Sequence, residues 1–118
     1  MYKVKGITKK DFVVKANTED FSYLLDKDKF FGTTPVGYVV VGMTSCALMC
    51  VRGYYIKQKL ANIYIEADVV YDGKFVLNIK VDKELVEGEK EEIVEYIKKY
   101  CTVSKMLATE IEYNIEGK

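Results

Sequence analysis

Alternating apolar and polar positions near both ends of the chain predict β-strands. Residues 2–26 have the pattern of short strands joined by turns. Residues 63–81 predict a hairpin, because two alternating runs flank Asp72-Gly73, a two-residue turn signal. Residues 109–116 alternate strictly and predict a last strand. The strands therefore fall into three groups along the sequence.

Two segments between these strands have the signals of helices. Thr34 supplies an N-cap and Pro35 a first-turn proline for a helix that we expect to run to about Gln58. A second, amphipathic helix is predicted after Gly88, because acidic residues fill its first turn and apolar residues recur at helical spacing. That spacing predicts that Cys101, at the end of the second helix, points inward.

The resulting order is three strands, a long helix, two strands, a helix and a strand. Strands and helices do not alternate one for one, so the pattern predicts an α+β fold and not a doubly wound sheet. A length of 118 residues, with no internal repeat or linker, predicts a single domain over residues 1–118.

The long helix lies within an uncharged run of 22 residues, 30–51, which could just span a bilayer. However, residues 32–35 form a turn and a helix start, and glycine and hydroxyl residues dilute the remainder. We therefore expect no membrane span but the buried centre of a soluble protein or oligomer. Because residues 36–51 have no polar face, a monomer would expose a large apolar patch, and we predict a homodimer.

Charge and composition narrow the possible functions. The chain has 18 lysines and arginines and 18 aspartates and glutamates, so it offers no electrostatic case for binding nucleic acid or an anionic membrane. It contains no histidine, which excludes Cys-His and Ser-His catalysis and any metal site that needs histidine. An odd number of cysteines, three, without an apolar signal sequence leads us to expect the reducing cytoplasm.

The three cysteines are the best candidates for chemistry. Cys46 in the long helix and Cys101 at the end of the second could form a redox dithiol without a Cys-x-x-Cys motif, although buried cysteines are often only packing residues. Cys50, one helical turn after Cys46, is interpreted as packing, because a rigid helix holds that pair in poor disulfide geometry. The spacings of 4 and 51 residues match no zinc pattern, so we expect no metal and no cofactor.

Both cysteine contexts resemble motifs of the OsmC/Ohr family. Residues 35–46 start at a proline and end in Thr-Ser-Cys, whereas the family's first-cysteine helix typically begins Pro-Glu-Glu-Leu and ends in Ala-x-Cys. Residues 101–107, Cys-Thr-Val-Ser-Lys-Met-Leu, resemble the family's second motif, Cys-Pro-Val/Ile-Ser-x-x-Leu. The resemblance covers residues 21–116 well, and it is carried by the two contexts in this order.

The resemblance implies an antioxidant, stress-response peroxidase that reduces organic hydroperoxides. It implies an intertwined homodimer with a curved antiparallel sheet and a long buried central helix. By position, Cys46 resembles the peroxidatic thiol and Cys101 the resolving thiol. The resulting disulfide would be reduced by an external dithiol.

This chain departs from the family pattern at the residues that activate the thiol. Val36 occupies the place of the family's glutamate, no arginine precedes Cys46, and Thr102 replaces the usual proline. The single arginine, Arg52, follows Cys46 by six residues on a different face of the helix. We therefore expect a slow peroxidase. The alternatives are a non-catalytic OsmC-fold dimer that binds a small apolar ligand, and a structural dimer whose cysteines only pack.

Overall fold

The computed structural model describes all residues, 1–118. They form two compact units, residues 1–39 and residues 40–118, and the long helix α1 contributes residues to both. Six strands and three helices follow one another in the order predicted, with one short helix added. The α+β class is therefore confirmed.

The first unit is built on a three-stranded antiparallel sheet. Strands β1 (Lys5–Ile7), β2 (Val13–Asn17) and β3 (Ser22–Asp26) lie in sequence order, which confirms the short strands predicted for residues 2–26. Asp26 is buried, and its carboxylate accepts hydrogen bonds from three backbone N–H groups of the loop that follows, at 2.9–3.2 Å. This side chain fixes the loop that leads into the long helix.

Helix α1 spans Pro35–Lys57, within one residue of the predicted end. Its N-terminus is capped as expected, since the Thr34 hydroxyl accepts a hydrogen bond from the Gly37 N–H at 3.0 Å. The predicted N-cap and first-turn proline are both confirmed.

The second unit contains the predicted hairpin. Strands β4 (Ile65–Tyr71) and β5 (Phe75–Val81) are antiparallel and pair from Ile65 with Val81 to Tyr71 with Phe75. The turn holds three residues, 72–74, so the predicted two-residue turn is corrected. Gly73 has a φ of 78°, and a glycine in this left-handed conformation is typical of three-residue hairpin loops.

The last strand, β6 (Ile111–Glu116), gives the second sheet a mixed character. The predicted antiparallel pairing holds for β4 and β5, but β6 runs parallel to β5. Parallel neighbours need a long crossover connection, which is supplied here by helices α2 (Glu89–Tyr100) and α3 (Thr102–Met106). The five-residue α3 was not predicted, because it is too short to show a periodic pattern.

The core of the second unit lies between this sheet and the helices. Buried apolar side chains come from α1, from every second position of β5, from α2 and from β6: Met43, Ala47, Val51, Tyr55, Phe75, Leu77, Ile79, Val81, Ile93, Ile97 and Ile115. Cys101 belongs to the same cluster and is fully buried, as predicted.

One side of α1 is apolar yet uncovered in the single chain. Val41, Met49 and Ile56 are 54 %, 73 % and 53 % exposed, and we call these three residues the apolar stripe. By length and composition alone α1 could cross a membrane, and only 22 % of its most apolar window is buried. In the single chain, α1 is therefore buried on one side only, whereas the sequence predicted a helix at the buried centre of a soluble protein or oligomer.

Candidate functional site

The three cysteines of the chain come together in space. The sulfur atoms of Cys46, Cys50 and Cys101 all lie within 4.8 Å of one another, and all three thiols are free. We call this group the thiol cluster. The structure therefore brings together the two residues predicted as a redox pair, and it adds a third.

Local structure explains why the sulfurs converge. Cys46 and Cys50 are one turn apart on α1, so their side chains leave the helix on the same side. Cys101 is the residue between α2 and α3, and its N–H donates a hydrogen bond to the Ile97 carbonyl at 2.8 Å. The end of α2 thus holds the third thiol against the face of α1.

The three thiols differ in their access to solvent. Cys101 is 0 % exposed and Cys50 is 9 % exposed, whereas Cys46 is half-buried. A molecule that arrives from solvent can therefore touch Cys46 first.

Burial makes the inner two thiols hard to ionise. It raises the pKa of Cys50 to about 12, and the neighbouring Cys101 and Cys46 add to this rise, because two thiolates repel each other. Burial also raises the pKa of Cys101, although the hydroxyl and the N–H of Ser104 act in the opposite direction. The thiols of Cys50 and Cys101 are therefore protonated at neutral pH.

Two residues outside the cysteines border the thiol cluster. The Ser104 hydroxyl on α3 donates a hydrogen bond to the Cys101 carbonyl at 3.0 Å. Burial raises the pKa of Tyr113 on β6, and Cys101 and Cys50 raise it further, while Ser104 lowers it. Ser104 is the serine of the second cysteine motif, but neither Ser104 nor Tyr113 was predicted as a site residue. The available signal was the strict alternation of β6, which placed Tyr113 on the inward face.

The single arginine is engaged away from the sulfurs. Its guanidinium Nη1 donates a hydrogen bond to the Ala61 carbonyl, beyond the end of α1, at 2.7 Å. No lysine or arginine lowers the pKa of Cys50 or Cys101. This hydrogen bond agrees with the prediction that Arg52 lies on a different face of α1 and does not activate the Cys46 thiol of its own chain.

The fold and the thiol cluster together define a class: an α+β protein whose central helix presents thiols to a further thiol at the end of a second helix. The sequence pattern of the OsmC-like protein family matches residues 26–116. The chain belongs to this family, as its two cysteine motifs predicted.

Solved structures share this fold over almost the whole chain. An OsmC-like protein of unknown function from Vibrio cholerae has a TM-score of 0.75 at 11 % identity and covers 98 % of each chain. An OsmC-like protein from Mycoplasma pneumoniae has a TM-score of 0.72 at 15 % identity, covering 100 % of this chain and 96 % of that one. The organic hydroperoxide resistance protein OhrB of Bacillus subtilis has a TM-score of 0.68 at 16 % identity, covering 100 % and 98 %. The comparison with curated proteins gives no match.

Proposed function

We propose that this protein reduces organic hydroperoxides, with Cys46 as the nucleophile and Cys101 as the resolving thiol. Family membership supports a role in redox stress, and one structural relative is named an organic hydroperoxide resistance protein. The observation that carries the proposal is the position of Cys46, which is the most accessible thiol and has two further sulfurs within 4.8 Å.

The reaction uses two protein thiols, the peroxide and an external dithiol, and it releases an alcohol and water. The Cys46 thiolate attacks the peroxide O–O bond, which breaks: the outer oxygen stays on sulfur as a sulfenic acid, and the other leaves with its carbon as an alkoxide. The alkoxide takes up the proton that the thiol has released and becomes an alcohol. The Cys101 thiol then attacks the sulfenic acid, a disulfide forms and water leaves. An external dithiol, itself oxidised to a disulfide, returns both cysteines to thiols.

The direct test is consumption of an organic hydroperoxide by the reduced protein in the presence of a dithiol. We expect catalytic turnover, and peptide mapping after a single oxidation should find a Cys46–Cys101 disulfide. Thiols that stay inert towards peroxide and alkylating agents would refute the proposal and favour cysteines that only pack. Reactive thiols without turnover would favour a binding protein.

The reaction should be slow at neutral pH and should accelerate as the pH rises. The reactive form of a cysteine is the thiolate, and a neighbouring cation is what favours the thiolate at neutral pH. In this chain, the Arg52 guanidinium is bonded to the Ala61 carbonyl. The rate of the first oxidation, measured by stopped-flow mixing, should therefore climb between pH 7 and pH 9. A rate that is flat from pH 6 to pH 8 would contradict this and indicate a cation supplied by another chain.

We further propose that the functional unit is a cytoplasmic homodimer that covers the apolar stripe. Exposed fractions of 54 %, 73 % and 53 % on one side of a helix are unusual for a soluble monomer. Light scattering should report a dimer at micromolar concentration. A stable folded monomer at that concentration would disprove it.

A substitution in the stripe tests which surface forms the dimer. Met49→Glu places a charge at the most exposed position of the stripe and should yield monomers, because a buried unpaired charge is costly. Val70→Glu is the matched control, since Val70 is 57 % exposed on β4, outside the stripe. If Met49→Glu stays dimeric, another surface forms the interface.

A further inference from the structure

We propose that the thiol cluster is a binding site for a trivalent thiophilic ion, of which arsenite is the simplest form. All three cysteines would bind a single ion. This inference concerns binding alone and does not depend on peroxide reduction.

The geometry of the cluster suits one ion held by three sulfurs. Thiolates bound to one ion at about 2.3 Å, the zinc–sulfur distance, lie about 3.5–4 Å apart. The three sulfurs are already within 4.8 Å of one another, so small side-chain rotations suffice. Two ligands come from a single rigid turn of α1 and the third from the junction of α2 and α3. Thiolate ligands select soft ions over hard ones.

Net charge decides which soft ion fits this site. Three thiolates around Zn²⁺ carry a net charge of −1, and around Cu⁺ a charge of −2. Such charge is costly where two of the three sulfurs, those of Cys50 and Cys101, are buried. The Ser104 hydroxyl from α3 and the Tyr113 phenol from β6 border the sulfurs and are uncharged, and no lysine or arginine acts on the pKa of Cys50 or Cys101. Three thiolates around a trivalent ion are neutral and need no partner.

The stoichiometry of the binding reaction also favours arsenite. Arsenious acid, As(OH)₃, reacts with three thiols to give As(S-Cys)₃ and three waters. Each S–H bond and each As–O bond breaks, while an As–S bond and a water O–H bond form. Arsenic stays trivalent, so no oxidant or reductant is needed. Zn²⁺ brings no hydroxide to take up the three thiol protons, so they would have to be released to solvent.

The proposal is tested by titrating the reduced full-length protein with arsenite, with native mass spectrometry and counting of free thiols as readouts. We expect one arsenic per chain, protection of all three thiols, and an affinity that changes little between pH 6 and pH 8. Cys50→Ser should weaken arsenite binding by about 100-fold or more, since even changes around metal ligands cost 10–100-fold. Phenylarsine oxide, which needs only two thiols, should still bind this variant through Cys46 and Cys101.

Several results would overturn the inference. They are protection of only two thiols in the unmodified protein, arsenite binding by Cys50→Ser as tight as before, or Zn²⁺ binding tighter than arsenite at pH 7. A steep rise of arsenite affinity with pH would contradict the neutral exchange with water. Loss of phenylarsine oxide binding in Cys50→Ser would show that Cys46 and Cys101 do not share a site, which also removes the basis of the proposal.

Discussion

Replacing Cys46 by serine should reduce hydroperoxide turnover by at least about 1,000-fold, because loss of a nucleophile removes the covalent route entirely. Cys46 is the thiol that solvent reaches most easily, whereas Cys101 is fully buried and Cys50 is 9 % exposed. Peroxide consumption in the presence of an excess of dithiol measures this loss. Ser45→Ala is a suitable control, since this exposed neighbour only donates a hydrogen bond to the Val41 carbonyl at 2.8 Å.

Replacing Cys101 by serine should have a different signature. One equivalent of peroxide should still be consumed, after which the Cys46 sulfenic acid persists and over-oxidises to the sulfinic acid. Cys50 is also near, but one rigid turn of α1 holds it in poor disulfide geometry. Mass spectrometry of the oxidised variant distinguishes a sulfinic acid at Cys46 from a disulfide between Cys46 and Cys50. Sustained turnover would mean that Cys50 replaces Cys101, and a dead Cys50→Ser variant would place the nucleophile one helical turn later.

The largest stability effect is expected from Glu89→Ala. Glu89 is 2 % exposed, and its carboxylate accepts hydrogen bonds from Lys83 at 2.6 and 2.8 Å, from the Tyr55 hydroxyl at 2.6 Å and from the Val86 N–H at 3.0 Å. Removing it leaves an ammonium and a phenol without their partner. Breaking a fully buried pair costs about 3–5 kcal/mol of unfolding free energy; because the Lys83 side chain is 25 % exposed, we expect a loss at the lower end of that range. Urea denaturation measures the change.

The same carboxylate should make stability depend on pH. Burial alone would raise the pKa of Glu89, but the bonds from Lys83, Tyr55 and the Val86 N–H outweigh it and lower the pKa below its usual value. A lowered pKa in the folded protein stabilises it above the unfolded pKa, and this contribution is lost as the pH falls through the folded value. Glu89→Gln should remove that acid-side dependence. The control is Glu112→Gln, because Glu112 pairs with Lys74 on the surface; this variant should leave the midpoint of denaturation almost unchanged. Equal losses of stability in the two variants would contradict a special contribution from the buried Glu89 carboxylate.

Local signals were strong enough to predict most of the fold. The capping residue Thr34, the proline at the start of α1 and the glycine of the hairpin turn each act over a few neighbouring residues, so their positions can be read directly. The direction of β6 is different. Antiparallel and parallel strands have the same alternation, and the choice depends on how α2 and α3 carry the chain across the sheet.

The candidate site was predictable in part, and again the local features were the ones that could be predicted. The contexts of Cys46 and Cys101 are local, so both were recognised as candidates. Cys50 was interpreted as packing because a helix prevents it from bonding easily to Cys46, yet its contact with Cys101 depends on the docking of α2 onto α1. Tyr113 likewise reaches the cluster only through the pairing of β6 with β5. Apart from the Cys46–Cys101 pair, which the family resemblance implied, contacts between distant segments were therefore the part that the sequence did not reveal.

The thiol cluster joins parts of the chain that are far apart in sequence, and this affects when it can form. Contacts that are far apart in sequence form late, because closing a long loop costs entropy before any contact is gained. Cys46 precedes Cys101 by 55 residues, a stretch that a ribosome takes about 3–11 seconds to synthesise at 5–20 residues per second. During that interval the first two thiols on α1 have no third thiol to meet. The nascent chain therefore passes through a stage in which Cys46 and Cys50 lack their third neighbour, and docking of α2 ends that stage.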